Sequence, residues 1–181
     1  MENKNICVFG ASAEGLEQNL VDAVTSLGQS LGDAGFSLVF GGFARGLMAA
    51  TAKGFEKSQA EIIGVIAQSL ADRLVYPGCT SVIETKDLDQ RKQKMTELAA
   101  AFLTVPGAIG TLDELFGVMA QKLIDETAKP LIIYNYNGFY DPLIKWLDQL
   151  QAMGYIHKNL EDMIFISDNP QEILEYLNNY L

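Results

Sequence analysis

The sequence predicts a three-layer α/β domain over residues 1–181, doubly wound around a mostly parallel sheet. Three observations lead there. Short β-rich runs alternate with longer helical stretches from end to end. Most of those runs are nearly continuously apolar, as parallel strands covered on both faces must be. Several strand-to-helix junctions contain glycine, and they lie where the ligands of such sheets bind, beyond the carboxyl ends of the strands.

Taken in order, residues 6–9 form the first apolar run, and Leu16, Leu20, Val24, Leu27 and Leu31 then trace a helical stripe closed by Gly35. Strands are predicted at 37–40, 62–66 and 82–84. Asp87 is placed to cap the next helix, where Leu88, Met95, Leu98 and Phe102 fall on one stripe at spacings of seven, three and four. Another apolar run covers 101–105. The helix after it has a core stripe of Leu112, Leu115, Phe116, Met119 and Leu123, and a separate flank of Thr111, Glu114, Val118 and Gln121 with Gly117 beside it. Residues 131–134 form a further strand, followed by a turn at Asn137-Gly138 among packing aromatics (Tyr134, Tyr136, Phe139, Tyr140). Asp141-Pro142 opens a helix, 164–166 is the last strand, and Asn169-Pro170 starts the final helix.

Composition narrows the function. The chain has 181 residues, 49% hydrophobic and 20% charged, enough for a sizeable core. Thirteen Lys+Arg against twenty-three Asp+Glu gives a net charge of −10, which disfavours a nucleic-acid partner but permits a small anionic ligand held by local dipoles. Two cysteines, Cys7 and Cys79, make no disulfide scaffold and fit a reducing compartment; Cys7 reads as an inert core thiol. The single histidine, His157, excludes a His-rich zinc site and reads as an ordinary surface residue. No stretch has the form of a signal peptide or a membrane span, so the expectation is a cytoplasmic protein with no membrane partner, no metal and no cofactor.

Three glycine junctions could meet a ligand. They are Gly10 with Ala11 and Ser12, the stretch from Gly41 and Gly42 to Gly46, and the stretch from Gly107 to Gly110 and Thr111. The first lacks the full dinucleotide fingerprint, and tight turns alone explain any one of the three. Together they suit a phosphate. Arg91 fills the vacant place on the Leu88–Met95 stripe, so its guanidinium faces the core side and needs an anion, either a ligand or a carboxylate of the protein. Lys92 falls on a solvated flank. Thr111 to Glu114 has capping-box spacing, which by itself gives Glu114 a backbone-capping role. The second occupied flank of that helix is the mark of a cleft or a subunit contact.

These motifs resemble the Lonely Guy family, the cytokinin riboside 5′-monophosphate phosphoribohydrolases. The family's P-G-G-x-G-T-x-x-E corresponds to Pro106, Gly107, Ala108, Ile109, Gly110, Thr111, Leu112, Asp113 and Glu114. Its R-K-x-x-M corresponds to Arg91, Lys92, Gln93, Lys94 and Met95, and its G-G-G-x-x-G-L-M to the stretch from Gly41 to Met48. The resemblance implies a Rossmann-like homodimer. It would cleave the N-glycosidic bond of a purine nucleoside 5′-monophosphate, AMP or an N6-modified AMP such as a cytokinin nucleotide, to free base and ribose 5-phosphate. It also implies that Arg91 and Glu114 are the catalytic pair, that Gly107, Gly110 and Thr111 cradle the phosphate with Lys92 nearby, and that Ser12, Gly41, Gly42 and Ala108 complete the substrate-binding set.

The chain departs from the family at three places. Ala108 and Phe43 stand where the family has glycine, and Ala120 stands where a threonine is common. An altered substrate, or a non-catalytic nucleotide-binding or sensing module of the same fold, is the alternative these departures raise. Some relatives carry a lysine decarboxylase label, which no pyridoxal-type lysine motif here supports.

Overall fold

A computed structural model describes residues 3–70 and 74–181; residues 1, 2 and 71–73, part of the predicted 1–181 unit, lie outside the described residues. The elements in chain order are β1 (Asn5–Phe9), α1 (Gln18–Asp33), β2 (Ser37–Phe40), α2 (Gly46–Lys57), β3 (Ile62–Ala67), β4 (Ser81–Thr85), α3 (Leu88–Leu98) and β5 (Ala101–Thr104). They continue as α4 (Ile109–Leu123), β6 (Leu131–Tyr134), α5 (Asp141–Ala152), α6 (Leu160–Met163), β7 (Phe165–Ser167) and α7 (Pro170–Tyr180). All seven predicted strands are present, with bounds shifted by no more than a residue or two.

The strands form one sheet in the order β4-β3-β2-β1-β5-β6-β7, and every pairing is parallel. Alternating side chains feed two cores. Ile6, Val8, Leu38, Phe40 and Leu103 pack against α1, α2 and α7 through Leu27, Phe55 and Ile173. Cys7, Phe9, Val39, Val65 and Phe102 pack on the other face against α3, α4 and α5 through Met95, Leu115 and Leu147. The inner strands β3, β2, β1, β5 and β6 are buried on both sides, which is why they read as nearly continuous apolar runs, whereas the edge strand β4 is largely exposed.

Helix ends follow the sequence signals at several points. Gly35, after α1, sits at φ +85°, a conformation that favours glycine. Asn169 accepts a hydrogen bond from the Gln171 amide at 2.9 Å and caps α7. The turn before α5 carries Asn137 and Gly138 at positive φ, as the Asn-Gly pair implies. One stripe needs correction. α3 ends at Leu98, so Phe102 is not on it; it points into the core from β5. The apolar spacing continued across the helix end because a buried strand supplies apolar residues too. Leu88, at the other end, is 49% exposed rather than in the core.

Candidate active site

Strand order reverses direction between β1 and β5, and the crevice at their carboxyl ends is where this architecture holds ligands. Three loops brace one another there. The Ala11 amide donates to the Pro106 carbonyl at 3.1 Å, and the Leu47 amide at the start of α2 donates to the Ala11 carbonyl at 2.8 Å. Tyr140, nearly fully buried, donates its hydroxyl to the Val105 carbonyl at 2.9 Å and fixes the loop after β5 from the far side. Burial pushes the Tyr140 phenol well above its ordinary pKa, so it stays a donor.

A cleft of about 450 Å³ opens over this junction. Ser12 lines it from the loop after β1, Phe43 and Met48 from the β2–α2 region, and Arg91 and Lys92 from α3. From the start of α4 come Ala108, Gly110, Thr111, Asp113 and Glu114. A fifteen-residue helix thus begins at the cleft, and its first amides have no partner within the helix, which suits an anion.

Asp87 caps α3 by accepting the Gln90 amide at 2.9 Å. Arg91 follows in the first turns, only 8% exposed. Its Nε donates to the Val65 carbonyl at 2.9 Å, and its Nη1 to Glu114 Oε1 at 3.1 Å. The anion that the buried guanidinium required is therefore a carboxylate of the protein, and that carboxylate belongs to Glu114. Burial raises the Glu114 carboxyl above its ordinary pKa; the charge and hydrogen bond of Arg91 oppose this without cancelling it. The pair lies at the cleft wall with 9% and 13% of its side chains exposed, so its charges are little screened.

The capping-box reading of Glu114 is incorrect. α4 begins at Ile109 with Ala108 at the cap position, so Glu114 lies six residues past the cap rather than the three a capping box requires, and its carboxylate accepts from Arg91 instead. Lys92 is not simply solvated either. Its ammonium donates to Asp113 Oδ2 at 3.0 Å, lies 3.7 Å from Asp89, and has its pKa raised mainly by the hydrogen bond to Asp113.

Arg91, Glu114, Lys92, Ser12, Ala108, Gly110 and Thr111 all line one cleft. Gly41, Gly42 and Gly107 stand behind its wall. A Cβ on Gly41 would overlap Arg91 Nη2, and one on Gly107 would overlap the buried Thr111 side chain. Gly42, at φ +76°, backs onto Ile66. Three contributors had no signal in the sequence. The Val65 carbonyl is backbone, while Asp113 and Tyr140 act through partners distant in sequence.

The departures are unequal in weight. Ala108 has φ −111°, within reach of any L-residue, so no glycine is required there. Ala120 is exposed and does not line the cleft. Phe43 is buried, bridges to Val75 and forms part of the cleft wall.

Residues 48–177 match a family model described as possible lysine decarboxylase. The chain is 31% identical over 178 residues to a probable cytokinin riboside 5′-monophosphate phosphoribohydrolase of Oryza sativa subsp. japonica, covering 98% of this chain and 73% of that protein. It is 30% identical over 179 residues to a cytokinin riboside 5′-monophosphate phosphoribohydrolase of Arabidopsis thaliana, covering 98% and 84% respectively. Among solved structures, the molybdenum cofactor binding protein of Rippkaea orientalis matches with a TM-score of 0.74 at 21% identity, over 99% of this chain and 98% of that one. That likeness extends to the fold alone. By motif, family model and full-length similarity, the chain belongs to the Lonely Guy family of cytokinin riboside 5′-monophosphate phosphoribohydrolases.

Proposed function

We propose that this protein hydrolyses the N-glycosidic bond of a purine nucleoside 5′-monophosphate, AMP or an N6-modified AMP, releasing free base and ribose 5-phosphate. The observation that carries the reading is the 3.1 Å Arg91–Glu114 pair set one turn beyond the start of α4 in a single cleft. The phosphate would sit on the first amides of α4 beside Ser12 and Thr111, with Lys92 adding positive charge. The anomeric carbon would then face Glu114. Cleavage passes through an oxocarbenium-like state, and a buried carboxylate held in place by a guanidinium is preorganised to stabilise it. The glycosidic C–N bond breaks with its electron pair going to the base. Water oxygen bonds to the anomeric carbon, Glu114 takes the water's proton and returns it to solvent, and the departing base takes up one proton from solvent, so that one water is consumed in all.

The same reading has the protein act as a cytoplasmic homodimer without a cofactor. The motif set and the names of the curated relatives support the hydrolysis; the compartment, the homodimer and the lack of a cofactor are expectations carried over from the sequence. The test is chromatographic detection of free base from AMP, N6-isopentenyl-AMP, GMP and CMP, with wild type beside Arg91→Ala and Glu114→Gln. Release by wild type alone is expected. Silence from all three, with thermal stabilisation by a nucleotide, would instead make the protein a non-catalytic nucleotide-binding module.

A further inference from the structure

The connection from β5 to α4, residues 105–108, is anchored through its backbone from two sides. On the β1 side, the Val105 amide donates to the Phe9 carbonyl at 2.9 Å, and the Pro106 carbonyl accepts from the Ala11 amide at 3.1 Å. On the β6 side, the remaining groups meet one atom. The Tyr140 hydroxyl donates to the Val105 carbonyl at 2.9 Å, and the Gly107 amide faces the same phenol oxygen. Pro106 has no amide to offer. Every polar backbone group from the Val105 amide to the Gly107 amide therefore has a partner, and two of them depend on one hydroxyl. The phenol is itself fixed. The Tyr140 amide donates to Asn135 Oδ1 at 2.7 Å, and Asn135 Nδ2 donates to Asp141 Oδ1 at 2.7 Å. The Phe139 ring stands edge-on to the Tyr140 ring, with 4.8 Å between centroids.

Resting on the hydrolase reading, we propose that Tyr140 is the positioning residue of the phosphate seat: its hydroxyl holds the loop that sets where α4 begins. The first bond of α4 runs from the Leu112 amide to the Ala108 carbonyl at 2.9 Å, which leaves the amides of Ile109, Gly110 and Thr111 for an anion. With its amide turned to the phenol, Gly107 shapes the seat and does not bind the phosphate. Its part is steric. The Thr111 side chain packs where a Cβ on Gly107 would stand, so a shift at Gly107 moves the first turn of α4. Removing the hydroxyl leaves the carbonyl of Val105, a residue only 1% exposed, without its donor. The loop then relaxes toward another partner, and the three amides lose their common aim. Glu114, held by Arg91 from α3, keeps its place. A phosphate is gripped alike in ground state and transition state, so the loss falls on binding rather than on the chemical step.

The test compares wild type with Tyr140→Phe, which keeps the ring, and with Asn135→Ala, which keeps the hydroxyl but frees the turn that aims it. Ile173→Val, in the core on the other face of the sheet, lowers stability away from the site and serves as the control. Ribose 5-phosphate binding is measured by calorimetry, and KM and kcat by base release from AMP and N6-isopentenyl-AMP, all well below each variant's Tm. Tyr140→Phe is expected to weaken ribose 5-phosphate about tenfold and to raise KM by a similar factor, with kcat within about threefold of wild type. Asn135→Ala should move both the same way by a smaller factor, whereas Ile173→Val should lower Tm and move neither. Unchanged affinity and KM in Tyr140→Phe, or in Asn135→Ala if Tyr140→Phe does not fold, would overturn the inference and leave the hydrolase reading standing. A fall in kcat alone would do the same. If wild type releases no base, the hydrolase reading fails, and the ribose 5-phosphate affinities still decide the role of Tyr140. Failure of wild type to bind ribose 5-phosphate would overturn the phosphate seat and the inference together.

Discussion

The guanidinium of Arg91 occupies the space that a side chain at Gly41 would need. A Cβ built on Gly41 would overlap Nη2 and come within 3.3 Å of Cζ. The arginine is thus set from three directions: the Gly41 backbone beneath it, the Val65 carbonyl on Nε and the Glu114 carboxylate on Nη1. A charge fixed this way costs no reorganisation when the transition state forms.

Gly41→Ala should therefore act at a distance from the substrate. Its methyl group must push the guanidinium out of line with Glu114. Base release is expected to fall about a hundredfold, comparable to losing one preorganised transition-state contact. Overpacking should cost about 1–3 kcal/mol in urea denaturation. A wild-type rate in this variant would show that the placement of Arg91 is not needed for catalysis.

Arg91 and Glu114 should also behave as a unit. Arg91→Ala and Glu114→Gln are each expected to lower base release by about 10²–10³-fold, and the double variant by little more than either. Their stabilities should differ. Arg91→Ala leaves a buried carboxylate without its counter-charge, a loss of about 3–5 kcal/mol near neutral pH. Glu114→Gln keeps an acceptor for Nη1 and should cost less. Kinetics and denaturation of the three variants give both comparisons.

Most of the fold could be read in advance because parallel strands buried on both faces must be apolar throughout, and the runs at Ile62 and Leu131 are. The caps at Asp87 and Asn169 were legible because capping is local. The role of Glu114 was not legible from pattern alone, since its spacing from Thr111 fits a capping box equally well. What decides between them is that α4 starts two residues before Thr111, and that Arg91, twenty-three residues upstream, reaches across from α3. The seat of Arg91 on Gly41 was hidden for the same reason. Glycine at a strand end reads as turn chemistry, whereas here it makes room for a side chain from another helix.

The raised pKa of Glu114 ties rate and stability to pH in opposite directions. In the folded chain the carboxyl keeps its proton at a pH where the unfolded chain has lost it. Its contribution to stability is therefore fully present below the unfolded value and is lost as pH rises through the folded one. Catalysis by the ionised carboxylate needs the opposite state, so base release should climb over that same window. Its acid limb is expected to lie above the ordinary glutamate range. Because Arg91 pulls the value down, Arg91→Met should move the limb to still higher pH. A pH–rate profile of wild type and Arg91→Met, with Glu114→Gln lacking the limb, checks the assignment.

The two glycine positions that this chain has replaced should respond unequally to restoration. Ala108 caps α4 with φ −111° and an exposed side chain, so Ala108→Gly removes no strain. Because glycine caps better than alanine, the variant is expected to be about 0.5 kcal/mol more stable. Its base release should stay within about threefold of wild type. Phe43 is 5% exposed and forms part of the cleft wall, so its ring holds that wall in shape. Phe43→Gly should cost about 3–5 kcal/mol, in the range of large-to-small core substitutions. Urea denaturation beside base-release assays separates these cases. If Ala108→Gly instead raised the rate tenfold or more, the methyl at 108 would be obstructing the phosphate loop, and the departure there would be functional rather than tolerated.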